Sequence, residues 1–360
     1  MRMKILTVVG ARPQFIKAAT VSRVIEKFPQ VTEVLVHTGQ HFDINMSDVF
    51  FEEMDIPKPD YSLNISSLSH GAMTGRMLES LEEIIIKEKP NWVLVYGDTN
   101  STLAGALAAS KLNVKVAHVE AGLRSYNMRM PEEQNRILVD RLSSILFCPT
   151  RSSISNLVNE GYSEHNNIVE IGDVMYDASQ YYKEQSKPIK GVSFENGEFI
   201  LATIHRAENT DNIDRLSSIV KALNEMHKKN PVILPLHPRT KKIIEKHGLD
   251  LKVNVIEPVG YLEMIHLLKH CFIVASDSGG VQKEAYFFNK HCLVLRDETE
   301  WTELVELGAN KIVGADFDKI INAMEYFIDG ESGGVFGHGL YGDGRSAEAI
   351  VEALIRNSEM

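Results

Sequence analysis

The stretch "VLVYGDTNSTLAGALAAS", residues 93–110, contains one complete strand-to-helix unit. It begins with an apolar run, as expected for a strand covered by helices on both faces of a sheet. Gly97 and Asp98 then mark a turn, in which Thr99 or Asn100 can cap a helix. The remaining residues have helical periodicity. We therefore predict a buried strand, a polar turn and a helix in immediate succession.

The same unit recurs along the whole chain. Short runs rich in Val, Ile and Leu alternate with longer stretches of helical periodicity, first in "KILTVVG", "EVLVHTG", "KVAHVEAG", "SILFCPT" and "NIVEIGD" and later in "FILATIH", "PVILPLHP", "CFIVASDSGG" and "CLVLRDE". Strands that alternate with helices form parallel sheets with helices on both faces. The predicted fold class is α/β, with two doubly wound parallel sheets.

Chain length supports two domains. A chain of 360 residues with 44% hydrophobic content exceeds one ordinary core. The segment "YYKEQSKPIKGVSFENGEF" is polar, is broken by Pro188, Gly191 and Gly197, and suits a linker. We predict one domain over residues 1–180, a second over 181–340, and a last helix within 341–360.

Charge and composition exclude several classes of function. The formal net charge is −11, which argues against a general nucleic-acid surface or a polybasic membrane contact as the main role. No run of about 18 apolar residues predicts a membrane span. "MRMKILTVVGARPQ" is typical of a first strand rather than a signal peptide. Cys148, Cys271 and Cys292 lack metal-ligand spacing and are predicted to be buried, reduced thiols. We expect a soluble, cytoplasmic protein.

Polar residues at the carboxyl ends of the predicted strands are the candidates for ligand binding, because ligands of open α/β sheets bind there. In "VVGARPQFIK", Arg12 and Lys17 lie near the start of a helix whose first turn suits Pro13. Two cations and free backbone N–H groups make a candidate phosphate site. The alternative is a plain strand-to-helix turn with solvated side chains.

Three acids follow strands or begin a helix in the first half. Asp98 could be only a turn residue, and Glu132 could only favour the start of a helix. Glu120 ends an apolar strand, shares a predicted strand face with His118, and stands four residues before Arg124. Either Arg124 pairs with Glu120 structurally, or Glu120 is kept for proton transfer. Acids gathered at one edge could act as general bases.

The second half carries groups suited to an anion. His205 and Arg206 follow a strand directly. In "VASDSGGVQKEA", Ser278, Gly279 and Gly280 open a helix, so their backbone N–H groups can face a diphosphate. Further along that helix stands Glu284, which could accept hydrogen bonds from a ribose, and the next strand ends at Arg296. The alternative is a tight turn with no ligand.

These segments together resemble one family. "GARPQFIK", "GDTNST", "HVEAGLRS", "MPEEQNR", "HRAEN", "SDSGGVQKEA", "LRDETE" and "YGDGRSAEAIVEAL" are similar, in order and from end to end, to the UDP-N-acetylglucosamine 2-epimerase family. The resemblance implies two Rossmann-like domains of the glycosyltransferase-B type, with the active site in the cleft between them. It also implies a last helix that returns to the first domain, a UDP-sugar substrate and a homodimer. No metal or other cofactor is expected.

The resemblance also implies a mechanism and its residues. One carboxylate removes the C2 proton while UDP leaves C1, and UDP then adds back as a proton arrives on the other face of C2. The matching catalytic residues are Asp98, Glu120, Glu132 and His205. The matching UDP-binding residues are Arg12, Lys17, Ser278, Gly279, Gly280, Glu284 and Arg296, and Arg206 is added because it stands beside His205. Which acid acts on which face stays open.

Some positions depart from the commonest family pattern. Trp301 and Thr302 stand where most members carry Arg-Pro, which resembles the branch acting on UDP-2,3-diacetamido-2,3-dideoxyglucuronic acid. Gln40 and His41 match part of a regulatory second-substrate site, whereas Asp43 does not. The expected role is the supply of precursors for surface polysaccharide. A hydrolysing 2-epimerase, a glycosyltransferase of the same fold and a non-catalytic nucleotide-sugar sensor are the alternatives.

Overall fold

The chain separates into two compact units. The structure is a computed structural model that describes residues 2–40, 54, 56–162, 167–192, 194, 197–328, 330, 335–337 and 339–358. Unit 1 comprises Met1–Ala178 and Gly339–Met360, and unit 2 comprises Ser179–His338.

Unit 1 is built on a parallel sheet of seven strands. They are β1 (Met3–Val9), β2 (Val31–His37), β3 (Tyr61–Ser62), β4 (Trp92–Tyr96), β5 (Lys115–Val119), β6 (Ile145–Cys148) and β7 (Asn167–Glu170). Their order in the sheet is β3-β2-β1-β4-β5-β6-β7, and each pair of neighbours is parallel. The direction of winding reverses between β1 and β4.

Unit 2 repeats this arrangement with six strands. They are β8 (Ile200–Thr203), β9 (Val232–Pro235), β10 (Asn254–Ile256), β11 (Ile273–Ser276), β12 (Cys292–Val294) and β13 (Asn310–Ile312). Their order is β10-β9-β8-β11-β12-β13, again parallel throughout, with the reversal between β8 and β11. The predicted α/β fold with two doubly wound parallel sheets is confirmed.

Helices connect the strands. In chain order they are α1 (Arg12–Ile25), α2 (His70–Glu88), α3 (Asn100–Lys111), α4 (Pro131–Leu142), α5 (Arg151–Asn159), α6 (Val174–Lys183), α7 (Ala207–Thr210), α8 (Ile213–Lys229), α9 (Pro238–Lys246), α10 (Tyr261–His270), α11 (Gly279–Phe287), α12 (Thr302–Glu306), α13 (Phe317–Ile328) and α14 (Ser346–Ser358).

The stretch at residues 93–110 packs as its composition requires. Thr99 is the N-cap of α3, and its side chain accepts a hydrogen bond from the backbone N–H of Thr102. The small residues of α3 lie against the sheet: a Cβ added at Gly105 would be 3.2 Å from Val95 and 3.3 Å from Val8. α3 therefore packs closely against β1 and β4, directly after the turn that contains Asp98.

The last helix completes unit 1. α14 packs against α1 and reaches the amino ends of the central strands. There Trp92 Nε1 donates a hydrogen bond of 2.7 Å to Ser358 Oγ, and Lys115 Nζ donates one of 2.8 Å to the Asn357 carbonyl. The final helix therefore shares the hydrophobic core and the polar contacts of unit 1.

A buried carboxylate holds the start of this helix. Asp177 of α6 accepts a hydrogen bond of 2.8 Å from the backbone N–H of Ala347. Burial raises the pKa of Asp177 from 3.8 to about 6, although hydrogen bonds from Ala347 and Ser346 oppose the rise. The folded protein therefore binds a proton more tightly than the unfolded chain, so this group's contribution to stability is lost as pH rises from about 4 through about 6.

We expect Asp177→Asn to stabilise the protein by about 1–2 kcal/mol at about pH 8, and by much less at about pH 4.5. An asparagine can still accept the hydrogen bond from Ala347 without placing a charge in the interior. Urea unfolding at the two pH values measures the difference. The exposed Asp318→Asn is the control, and a stabilisation independent of pH would contradict the explanation.

Candidate active site

Several of the predicted site residues lie where the winding of each sheet reverses. In unit 1, Lys17 lies on the helix after β1, and Asp98 and Glu120 follow β4 and β5. In unit 2, His205 and Arg206 follow β8, and Ser278 follows β11. These reversal points are where open α/β sheets bind ligands. Lys17 and Asp98 thus lie at the reversal point of unit 1, and His205, Arg206 and Ser278 lie at that of unit 2.

Glu120 leaves its strand in an unusual conformation. Its φ is 73°, in the left-handed region, which costs a residue other than glycine about 1–2 kcal/mol. The backbone N–H groups of Glu120 and Ala121 both donate to the Phe147 carbonyl, at 3.1 and 3.0 Å. This turn ends the strand alternation, so the predicted common face for Glu120 and His118 is wrong. Backbone strain of this kind concentrates at functional sites.

The Glu120 carboxylate is paired with a buried cation. Lys17 of α1 forms an ion pair with it, and both side chains are nearly enclosed, with exposed fractions of 8% and 12%. A Cβ added at Gly97 would be 3.4 Å from Glu120 Oε2 and 3.5 Å from Lys17 Nζ. Because Asp98 follows Gly97 directly, the turn that carries Asp98 lies against this pair.

Arg124 has other partners than the predicted one. Its guanidinium bonds Asp140 at 2.8 Å and Glu160 at 2.6 and 2.8 Å. The hypothesis that Arg124 orients Glu120 by direct pairing is therefore wrong. These three side chains lie behind the strand ends, where Arg124 is fully buried.

The acids of the next helix divide into two kinds. Glu133 is fully buried: it pairs with Arg136 at 2.6 Å and accepts the backbone N–H groups of Ser125 and Tyr126. Arg136 also pairs with Asp98. Glu132, in the same first turn, is exposed and has no polar contact with another residue described by the structure. Glu133 is thus structural, while Glu132 is accessible.

The predicted phosphate site after β1 is partly occupied by the protein itself. Gln14 Oε1 accepts the backbone N–H groups of Gly10 and Ala11, at 2.8 and 3.0 Å. Those two amides are therefore not available to an anion. The side chain of Arg12, as well as His41 and Asp43, lies outside the described residues, and Gln40 accepts hydrogen bonds from Ser101.

In unit 2, an aspartate that sequence analysis did not single out organises the site. Asp277 is fully buried and accepts the backbone N–H groups of His205, at 3.1 Å, and Arg206, at 3.0 Å. It also lies 3.3 Å from His205 Nδ1 and bonds Asn209. Desolvation lowers the pKa of His205, and the charge of Asp277 opposes that change. Asp277 could have been predicted as a site residue from the sequence, because it lies between strand β11 and the two glycines that begin α11.

The two glycines at the start of α11 differ in the space around their Cα atoms. A Cβ at Gly279 would be 2.2 Å from Glu300 Oε1, whereas a Cβ at Gly280 would meet nothing closer than Ser278 Oγ at 4.0 Å. Arg296 is buried and donates to Glu300 at 2.7 Å, so it contacts this region through Glu300. Glu284 lies buried further along the helix. His237 caps α9, where its side chain accepts the backbone N–H of Arg239.

The three cysteines are free and buried, as predicted. Within the described ranges, no cluster of His, Cys, Asp and Glu suits a metal ion, and none of the described helices is long and apolar enough to cross a membrane.

The arrangement defines a class of enzyme. Unit 1 presents carboxylates suited to proton transfer, and unit 2 presents backbone amides, an arginine and a histidine suited to a diphosphate. Two doubly wound sheets with these groups at their reversal points are typical of enzymes that process nucleotide sugars. The chain belongs to the UDP-N-acetylglucosamine 2-epimerase family, whose model matches residues 23–355. Epimerases are isomerases, so the chain is an isomerase.

Individual relatives match from end to end. The chain is 58% identical over 362 residues to UDP-2,3-diacetamido-2,3-dideoxy-D-glucuronate 2-epimerase of Pseudomonas aeruginosa, covering 98% of this chain and 100% of the relative. A UDP-GlcNAc 2-epimerase of Methanocaldococcus jannaschii, solved with UDP-GlcNAc and UDP, matches with a TM-score of 0.88 and 42% identity, over 99% of this chain and 100% of that one. The Neisseria meningitidis enzyme bound to UDP-GlcNAc matches with a TM-score of 0.90 and 34% identity, with the same coverage.

The strain at Glu120 can be measured without a ligand. We expect Glu120→Gly to be more stable than Glu120→Ala by about 1 kcal/mol, because glycine adopts a positive φ without a steric penalty. Both variants lose the ion pair with Lys17, so their difference isolates the backbone term. Urea denaturation of the two proteins measures it. Equal stability of the two variants would show that the positive φ at position 120 carries no steric penalty.

Proposed function

We propose that the protein inverts C2 of a UDP-2-acetamido sugar by elimination and re-addition of UDP. The observation that carries the proposal is the carboxylate of Glu120, held by Lys17 in a strained turn beside Asp98. Backbone strain and a buried charge are retained together where the carboxylate itself is needed.

The proposed substrate is UDP-2,3-diacetamido-2,3-dideoxyglucuronic acid. Identity to the Pseudomonas aeruginosa enzyme of that specificity is 58%, against 43% to the Methanocaldococcus jannaschii UDP-N-acetylglucosamine 2-epimerase. Trp301 and Thr302 support the same assignment. UDP-N-acetylglucosamine is the second candidate, because it is the ligand in the matching structures of relatives.

The reaction is balanced without an oxidant or a reductant. A carboxylate takes the proton from C2, the C1–O bond to UDP breaks, and a C1=C2 double bond forms. UDP then re-forms the bond at C1 while a second acid delivers a proton to the opposite face of C2. Two acid/base groups and a site for the departing diphosphate are sufficient.

The roles divide between the two units. Asp98, Glu120 and Glu132 are the proposed proton-transfer groups, with Lys17 and Arg12 as the basic residues of unit 1. The proposed diphosphate site comprises the amides at Ser278, Gly279 and Gly280 together with His205 and Arg206. Glu284 would accept from the ribose, and Arg296 would act through Glu300. The substrate would engage both units at once.

We place the enzyme in the cytoplasm as a homodimer that supplies surface polysaccharide precursors. Three free thiols suit a reducing compartment.

Isotope exchange tests the function. The protein is incubated in D₂O with each of the two candidate sugars, and C2 is followed by NMR. We expect deuterium at C2 with the UDP linkage intact, and faster exchange with the diacetamido uronate. Accumulation of free UDP would indicate a hydrolysing enzyme, and absence of exchange with both sugars would contradict the proposal.

Glu120→Gln tests the proposed base. We expect kcat to fall by about 10²–10⁴-fold, because glutamine cannot accept the proton. The matched control is Glu82→Gln, an exposed acid of α2, which should leave kcat unchanged. If Glu120→Gln retains activity within about tenfold, Glu120 is not the proton-transfer group.

Gly280→Ala tests the diphosphate site. The added Cβ points into open space, so stability should hold or rise by about 0.5–1 kcal/mol through helix propensity. UDP affinity, measured by calorimetry, should nevertheless fall by about tenfold, because the Cβ would lie in the path of a ligand approaching the amides. Unchanged affinity would place the diphosphate elsewhere.

A further inference from the structure

A fully buried histidine lies directly behind the acids of unit 1. His118 of β5 is inaccessible to solvent, and its two ring nitrogens both have short contacts. Nε2 is 2.7 Å from the Gly97 carbonyl oxygen, and Nδ1 is 2.7 Å from Asp140 Oδ1. His118 therefore joins the turn after β4 to helix α4.

The partners of the ring determine its charge. A carbonyl oxygen can only accept a hydrogen bond, so Nε2 must carry a proton. The other oxygen of Asp140 accepts from the Gly122 N–H at 3.2 Å and from Arg124 at 2.8 Å, which favours an ionised carboxylate. Nδ1 must then donate as well, which makes His118 an imidazolium.

Charge balance supports this assignment. His118 and Arg124 are the cations of the buried cluster, and Asp140 and Glu160 are its anions. With an imidazolium the cluster is neutral overall. With a neutral ring the cluster would carry one excess negative charge, shared between the fully buried Asp140 and Glu160, whose side chain is 24% exposed.

The cluster contacts every segment that carries a predicted acid. Gly97 precedes Asp98, and Gly122 follows Glu120 by two residues. Asp140 belongs to α4, whose first turn carries Glu132. One histidine and one aspartate thus fix the backbone on three sides of the proposed proton-transfer groups.

We propose that His118 donates from both ring nitrogens and is a positioning residue that, with Asp140, sets the relative positions of Asp98, Glu120 and Glu132. The predicted effect on turnover rests on the proposed function, whereas the protonation of His118 is inferred from its contacts alone. Because the pair lies within unit 1, its loss should reduce turnover while the diphosphate site of unit 2 keeps its affinity.

Nitrogen-15 NMR of the wild-type protein tests the charge directly. We expect both ring nitrogens of His118 to carry a proton, as their contacts with the Gly97 carbonyl and the Asp140 carboxylate require. Asp140→Asn can keep all the hydrogen bonds, because its amide can donate to Nδ1 and its oxygen can accept from Gly122 and Arg124. In that variant the ring should become neutral. A neutral ring in the wild type would overturn the inference.

Kinetics tests the positioning role. His118→Gln and Asp140→Asn should lower kcat by about 10–100-fold, with KM and UDP affinity within about threefold of wild type. The control is Trp92→Phe, which removes the hydrogen bond to Ser358 at the opposite end of β4 and should reduce stability without reducing kcat.

The outcomes separate the two proposals. Unchanged kcat in both variants, or a loss confined to KM, would overturn the positioning role. A wild-type protein without exchange at C2 would refute the proposed function instead, and the positioning claim would then be decided by crystal structures of Asp140→Asn and the wild type. A shift of the Asp98 and Glu120 carboxylates supports the claim, and unmoved carboxylates overturn it.

Discussion

A charge removed from water at the end of an apolar strand must be paired, and unit 1 is organised around that constraint. Glu120 is paired with Lys17, Asp98 with Arg136, and Asp140 with His118 and Arg124. Each pair joins segments distant in sequence, so the pairs also fix the geometry of the strand ends. The parallel sheet places the carboxylates at one edge, and the paired cations hold them in position there.

The second unit meets a different requirement with the same fold. A departing diphosphate needs donors already in place, and the turn after β8 is held by three N–H donors, from His205, Arg206 and Asn209, that converge on Asp277. On the proposed function, the acids of unit 1 would exchange protons, and the donors of unit 2 would receive the negative charge of the departing diphosphate.

Local patterns predicted the elements but not the long-range partners. Within residues 93–110, the apolar run predicted the strand, the turn residues predicted the helix cap, and the small residues predicted the packed helix. The structure contains the strand, the cap and the helix. The partner of Arg124 could not be predicted, because Asp140 and Glu160 reach it only through α4 and α5. For the same reason the sequence predicted only that His118 shares a strand face with Glu120. In the structure its ring is enclosed by Gly97 and Asp140. Positive φ at Glu120 is equally invisible in the sequence, since glutamate has no preference for it.

The most direct test is a crystal structure with the UDP-sugar bound, in a Glu120→Gln variant that turns over slowly. The account predicts the diphosphate at the amides of Gly279 and Gly280, and C2 of the sugar within about 3.5 Å of the side chain at position 120 or of another of the three acids. It would be contradicted by a sugar bound with C2 beyond the reach of Asp98, Glu120 and Glu132.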